Sequence, residues 1–229
     1  IYLSAEDFLK NKKRFCLWLV DAQPSEIKKI PPIYERIKKV REFRLNSKKI
    51  QTQKDSDTPH LFQEIRQPKT NYILIPAVSS ENRKYIPMDF FDKNIIASDA
   101  NFFIPDADLY LFGILTSSVH MIWTKTFCGR LKSDFRYSAT IIYNNFPFCE
   151  VTEENRKKIS STAEKILEVR KKFAESSLAD LYDENLMPRE LRLAHKKNDS
   201  AVMAAYGFAE NLTEDEILGE LIKMYEKIS

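Results

Sequence analysis

Beyond Pro147 this chain carries helical signals alone, and that change constrains its architecture more than any other feature. Thr152, followed by Glu153 and Glu154, opens a long helix that runs to about Phe173. Its apolar stripe is Ile159, Ala163, Ile166, Leu167 and Phe173. Pro188 stands at a first helical position and Gly207 at a helix stop. Thr213 and Glu216 form a capping box for a last helix with Ile217, Leu221 and Tyr225 on one face. Before Pro147 the pattern is mixed. Lys13 to Val20, Asn71 to Pro76, Asn94 to Ser98, Phe102 to Ile104 and Ala139 to Tyr143 predict strands, and Leu109 to Phe127 a single helix ended by Gly129. The expectation is an α/β (α+β) domain with a mixed or antiparallel sheet over residues 1–150, then an all-α domain over residues 151–229.

Charge divides along the same line. Residues 1–150 hold 23 Lys and Arg against 17 Asp and Glu, whereas residues 151–229 hold 13 against 16. The excess is densest from Ser25 to Lys54, with ten basic and three acidic residues. There a helix interrupted early by Pro31 and Pro32 turns Ile33, Ile37, Val40 and Arg44 one way, and Arg36, Lys38, Lys39 and Arg41 the other. The basic face suits either solvent or a polyanion. Ser4 with Asp7 caps a short first helix, Asp21 to Ser25 is a turn, and Gln51 to Gln67 reads as a polar loop.

Absent motifs exclude most catalysis. With four glycines there is no GxGxxG and no P-loop, and GxSxG, HExxH and CxxC are also missing. Cys16, Cys128 and Cys149 are odd in number and sit in apolar stretches, as reduced buried thiols do. His60, His120 and His195 share no metal-ligand spacing. His120 reads as a packed residue of the long helix, and Trp18, Trp123, Phe146 and Phe148 as core. Asp21 with Glu26 and Lys28 is too compressed for a nuclease set, and Asn144 to Pro147 is a strand-ending turn. No apolar run is long enough to cross a membrane. The start at Ile1 and the lack of a signal-like stretch lead to the expectation of a piece of a longer chain.

The stretch around which the first part is organised is Cys128 to Pro147, CGRLKSDFRYSATIIYNNFP. It reads as a charged loop, with Arg130, Lys132, Asp134 and Arg136 in order, held by a helix before it and a strand after it.

Four long segments then carry a resemblance: RFCLWLVD, TPHLFQEIRQPKTNYILIPAVSSENRKYIP, IIASDANFFIPDADLYLFGILTSSVHMIWTKTFCGRLKSDFRYSATIIYNNFPF and SLADLYDENLMPRELRLAHKKNDSAVMAAYG. The first three resemble the target-recognition region of MmeI-like (Type IIL, Type IIG) restriction–modification enzymes, and the last their helical C-terminal part. Nearly the whole chain is covered. The resemblance implies a bacterial, cytoplasmic parent that carries nuclease and adenine-N6 methyltransferase domains ahead of this region. It also implies S-adenosylmethionine as the parent's cofactor and Mg for cleavage, with no cofactor here. The partners implied are double-stranded DNA and those N-terminal domains.

Ser98 to Asn101 and Arg130 to Arg136 match the family's specificity-determining segments. Base reading is therefore expected of Lys132, Asp134, Arg136, Ala100 and Asp99. Lys132 would donate to guanine and Asp134 accept from the paired cytosine, on the premise that i and i+2 of an extended segment point alike. Arg136 would address a neighbouring pair beside Ala100. Arg130, Ser79, Ser80, Arg83 and Lys84 are expected to meet phosphates. A protein-interaction scaffold for methyltransferase or nuclease modules is the alternative.

Overall fold

The computed structural model describes residues 1–228 and divides them into two compact units: residues 1–14 with 68–228, and residues 15–67. In the larger unit the central strand is β2 (Tyr72–Pro76), every residue of which is buried. Its side chains alternate. Ile73 and Ile75 enter the main core, while Tyr72 and Leu74 meet Phe8 on the other face. Antiparallel neighbours flank it, β4 (Asp89–Phe91) on one edge and β6 (Asn101–Pro105) on the other. A second antiparallel sheet has the order β3 (Val78–Ser79), β8 (Asp134–Arg136), β7 (Gly129–Leu131). A short parallel pair joins β1 (Tyr2–Leu3) to β5 (Ile96–Ala97). Helix α1 (Ala5–Leu9) has the expected capping box between Ser4 and Asp7.

Several predicted elements of this unit differ in the structure. The helix expected over Leu109 to Phe127 is two, α5 (Leu109–Leu115) and α6 (Ser118–Phe127). The break comes at Ser117, whose hydroxyl accepts from the His120 amide at 3.3 Å and caps α6; a hydroxyl competing for backbone groups favours a cap over a helix interior. Gly129 does not cap that helix: Cys128 does, and Gly129 opens β7. Ala139 to Tyr143 is a π-helical turn, capped by Ser138, with only Ile142 fully buried. Its β-branched run has no adjacent strand to pair with, so β-propensity yields to the tertiary context.

The helical part comprises α7 (Glu153–Lys171), α8 (Leu178–Leu181), α9 (Arg189–Ala205) and α10 (Glu214–Ile228). It shares one core with the sheets. Gly113 of α5 allows the close approach: a Cβ there would stand 2.5 Å from Ile159 of α7. Asn198 of α9 donates to the Gly113 carbonyl at 2.7 Å and accepts from Thr162 of α7 at 2.9 Å. A buried polar seam completes the join. Arg170 donates to the Met88 carbonyl at 2.7 Å and to the Tyr182 hydroxyl, and that hydroxyl meets His195 Nε2 at 2.8 Å. Tyr85 stacks on His195 with ring centroids 4.1 Å apart and donates to Asp199 at 2.7 Å.

Burial pushes His120 down to about 4 and His195 well below its usual value. Both histidines therefore stay neutral in the folded chain while their unfolded counterparts titrate near 6.5. Below about pH 6.5 the unfolded state binds more protons, so stability falls on acidification from there towards pH 4. For His120 the full effect is on the order of 3 kcal/mol. Urea titrations at pH 7 and pH 5 check this, and His120→Gln is expected to lessen the difference.

The smaller unit holds α2 (Pro24–Lys28), α3 (Pro31–Leu45) and α4 (Ile50–Lys54), followed by a 3-10 turn at Asp55–Asp57. Pro31 and Pro32 start α3, since a first helical turn needs no amide donor there. Arg44 is buried and donates to the carbonyls of Asp55 (2.7 Å), Thr58 (3.0 Å) and Leu61 (2.8 Å). That staple gives the expected loop from Gln51 to Gln67 its partial helix. The buried strand expected over Lys13 to Val20 does not form. Only Arg14 makes a bridge, to Tyr2, and Phe15 is 78% exposed. Trp18 is half-buried, with its ring centroid 5.6 Å from that of Phe62, and so is not core.

Candidate nucleic-acid interface

The charged run is a β-hairpin. Strands β7 and β8 pair Leu131 with Asp134, leaving Lys132 and Ser133 as the turn. Phe135 is the inward anchor, 3% exposed, and the next residue but one, Tyr137, binds His120 Nε2 at 3.2 Å. Because side chains alternate along β8, Asp134 and Arg136 lie on the face opposite Phe135, with Leu131 across from Asp134. This corrects the premise for Lys132. The pair that shares a strand face is Asp134 and Arg136, and Lys132 sits at the tip with φ of 57°.

A long side chain in the left-handed region is uncommon, and costs about 1–2 kcal/mol relative to the right-handed one. Asn11 and Asp106, the other non-glycine described residues with positive φ, are of the types that tolerate it. The hairpin thus holds an ammonium where glycine would be easier. Lys132→Gly is expected to raise or preserve the melting temperature while lowering selective DNA binding. Loss of both together would make Lys132 a structural residue only.

The second candidate segment lies beside the hairpin through one residue. The Ala77 amide donates to the Ala100 carbonyl at 3.0 Å, and the Ala77 carbonyl accepts from the Tyr137 amide at 2.9 Å. Val78 is paired with Arg136, and Pro76 with Asn101. Asp99 and Ala100 are exposed at the crest of that turn. Below them Asn101 is 2% exposed and donates to the Leu3 carbonyl at 2.9 Å, while Ser98 Oγ accepts from the Ala100 amide at 3.2 Å. The crest is therefore fixed rather than loose.

The expected phosphate contacts separate into groups. Arg130 is exposed, but its guanidinium lies 4.2 Å over the Phe135 ring and donates to the Ser133 carbonyl at 2.9 Å, which braces the hairpin. Ser79 is 2% exposed and accepts from Arg83 at 3.3 Å, so it supports Arg83 and offers no hydroxyl to the surface. Burial lowers the Arg83 pKa, against the opposing attraction of Asp134 and Asp183. Asp134 in turn faces the Glu81 amide at 3.4 Å. Ser80 is half-buried and Lys84 exposed on the same turn.

Sequence reasoning passed over Ala77 and, inside the two matched segments, gave Asn101 and Leu131 no role of their own. The signal available for Leu131 was an apolar residue inside a charged run, and the structure leaves it 52% exposed. Such a side chain can meet a thymine methyl. Among the described residues no group of three or more His, Cys, Asp or Glu is placed to hold a metal ion, and no helix is long and apolar enough to cross a membrane.

Comparison with known proteins covers the whole chain. The family model of the MmeI target recognition domain matches residues 1–150, and that of the MmeI C-terminal domain residues 151–229. "DNA methyltransferase A" of Bacillus subtilis (strain 168) is 39% identical over 229 residues, which are 100% of this chain and 26% of that protein. A solved structure of the Type IIL restriction-modification enzyme MmeI in complex with DNA superposes with a TM-score of 0.96 at 44% identity. It covers 99% of this chain and 30% of that one. The chain thus spans roughly a quarter of the curated relative it matches.

Proposed function

This chain belongs to the MmeI family, and from that premise we propose that it is the part of a bacterial adenine-N6 DNA methyltransferase that reads a short asymmetric sequence in double-stranded DNA. The observation that carries this reading is the joining of the 98–101 turn and, through Tyr137 at its end, the 129–136 hairpin to the two sides of Ala77. A narrow ridge of fixed, chemically varied side chains is what direct readout in a groove requires. Arg136 would donate to the O6 and N7 of a guanine, Asp134 would accept from a cytosine N4, and Lys132 would reach from the tip. Asp99 and Ala100 would address the adjoining pair. Lys84, Ser80 and Arg83 would fix register on phosphates, with Arg130 supporting them from the hairpin.

On this reading residues 1–150 recognise DNA, and the helices of residues 151–228 support the larger unit through Arg170 at Met88 and Asn198 at Gly113. The rest of the parent would hold S-adenosylmethionine, which supplies the methyl group, and act on an adenine extruded from the duplex. A nuclease domain using Mg would make the parent a restriction enzyme as well. This chain contributes position and selectivity and performs no chemistry. Selection of bound duplexes from a random pool by the parent enzyme is expected to return one short sequence. An even recovery of all sequences would leave only the scaffold reading.

A further inference from the structure

Helix α3 in the smaller unit is exposed almost all round. Arg44 is its one fully buried residue, Ile33 and Ile37 are half-buried, and Phe43 is 74% exposed. A helix of 15 residues with so little buried surface gains little from packing within its own unit. It is nevertheless held in place at its C-terminal end, by the three carbonyls that Arg44 binds.

Its two flanks differ. On one, Lys38 is already engaged, with Glu35 at 2.8 Å and the Tyr34 ring at 4.7 Å. On the other, Arg36, Lys39 and Phe43 follow at i, i+3 and i+7, spacings that put neighbouring side chains about 5–6 Å apart. Among the described residues neither Arg36 nor Lys39 has a salt-bridge partner. Lys39, Glu42, Phe43, Asn46 and Ser47 line a shallow hollow of ≈ 480 Å³ beside them. Glu42 brings one negative charge to it, against the ten basic and three acidic residues from Ser25 to Lys54.

We infer that the flank of α3 carrying Arg36, Lys39 and Phe43 is a sequence-independent contact for the phosphate backbone of duplex DNA. This rests on the recognition reading above and adds a second surface, in the other unit, with a different task. Charge complementarity selects the occupant: the excess of cations suits a polyanion, whereas a protein partner would have to supply a matching acidic face. Two unpaired cations on successive turns can each neutralise a phosphate, and Phe43 offers apolar surface to a sugar edge. Contacts of this kind strengthen binding to every sequence alike.

The test is the salt dependence of binding by the parent enzyme, for wild type and for Arg36→Gln with Lys39→Gln. Two fluorescent duplexes are used, one with the preferred site and one without, from about 50 to 200 mM KCl. Both positions are exposed, and a thermal melt confirms the fold, with Arg36→Ala and Lys39→Ala as the second variant. The plot of log K against log salt is expected to become shallower by about 1.8, at 0.9 per phosphate, on both duplexes. The preference between the duplexes is expected to stay the same. An unchanged slope overturns the inference, as does a changed preference at constant slope. A wild-type enzyme without preference would sink the recognition reading instead, while the slopes still decide the role of α3.

Discussion

Arg170→Ala is expected to destabilise the larger unit by about 3–5 kcal/mol, the cost of removing one partner from a buried charged network. Arg170 is 6% exposed and binds three groups: the Met88 carbonyl, the Tyr182 hydroxyl, and at 3.8 Å the Asp89 carboxylate. Truncation removes this donor from the Met88 carbonyl, leaves the Tyr182 hydroxyl with His195 alone, and opens a cavity beside Phe112, over whose ring the guanidinium lies at 5.5 Å. Arg170→Lys is expected to recover only part of the loss, because one ammonium cannot reproduce the planar fork. Urea unfolding measures both variants. A change below about 1 kcal/mol for Arg170→Ala would mean that the seam between α7 and the strand β4 does not hold the unit together.

The largest functional effect is expected at Arg136. It is exposed on the outer face of β8 and lies next to Val78, one residue from the Ala77 junction with the 98–101 turn. A bidentate arginine–guanine contact discriminates by about 1–3 kcal/mol. Arg136→Ala should therefore weaken binding to the preferred duplex by roughly 10- to 100-fold, with relaxed choice at one base pair. Binding to unrelated DNA should fall only slightly. Competition by duplexes carrying each single base-pair change reads this directly. Arg130→Ala is the contrast. Its guanidinium is spent on Phe135 and Ser133, so its loss should lower affinity across all sequences and loosen the hairpin.

Much of this architecture was legible in the sequence because it rests on local signals. The Thr152 cap and the stripe from Ile159 to Ile166 define α7, and Thr213 with Glu216 does cap α10. The apolar run from Tyr72 to Pro76 is the central strand. What failed depended on partners far away in sequence. The stretch from Phe15 to Val20 and the run from Ala139 to Tyr143 have strand composition but no strand to pair with, and composition cannot reveal that.

The hairpin was hidden for another reason: its turn lacks the Asn-Gly or Asp-Gly that marks such turns, and instead places Lys132 in the left-handed region. The family resemblance pointed to 98–101 and 130–136 together. What brings them side by side is the two hydrogen bonds of Ala77, a residue with no chemistry of its own. The compact unit of residues 15–67 was equally invisible, since its organiser is the Arg44 side chain bound to three backbone carbonyls.

The outer face of β8 is proposed to read bases. Exchanging its two polar residues, Asp134→Arg with Arg136→Asp, keeps the composition and the net charge while reversing donor and acceptor order along the strand. Selection of bound duplexes by the parent enzyme, wild type and exchanged, is the measurement. One or two adjacent positions of the preferred sequence are predicted to change identity while the remaining positions hold. An unchanged preference, from an exchanged protein that melts as the wild type does, would rule out base reading by β8 and leave the hairpin a structural ridge.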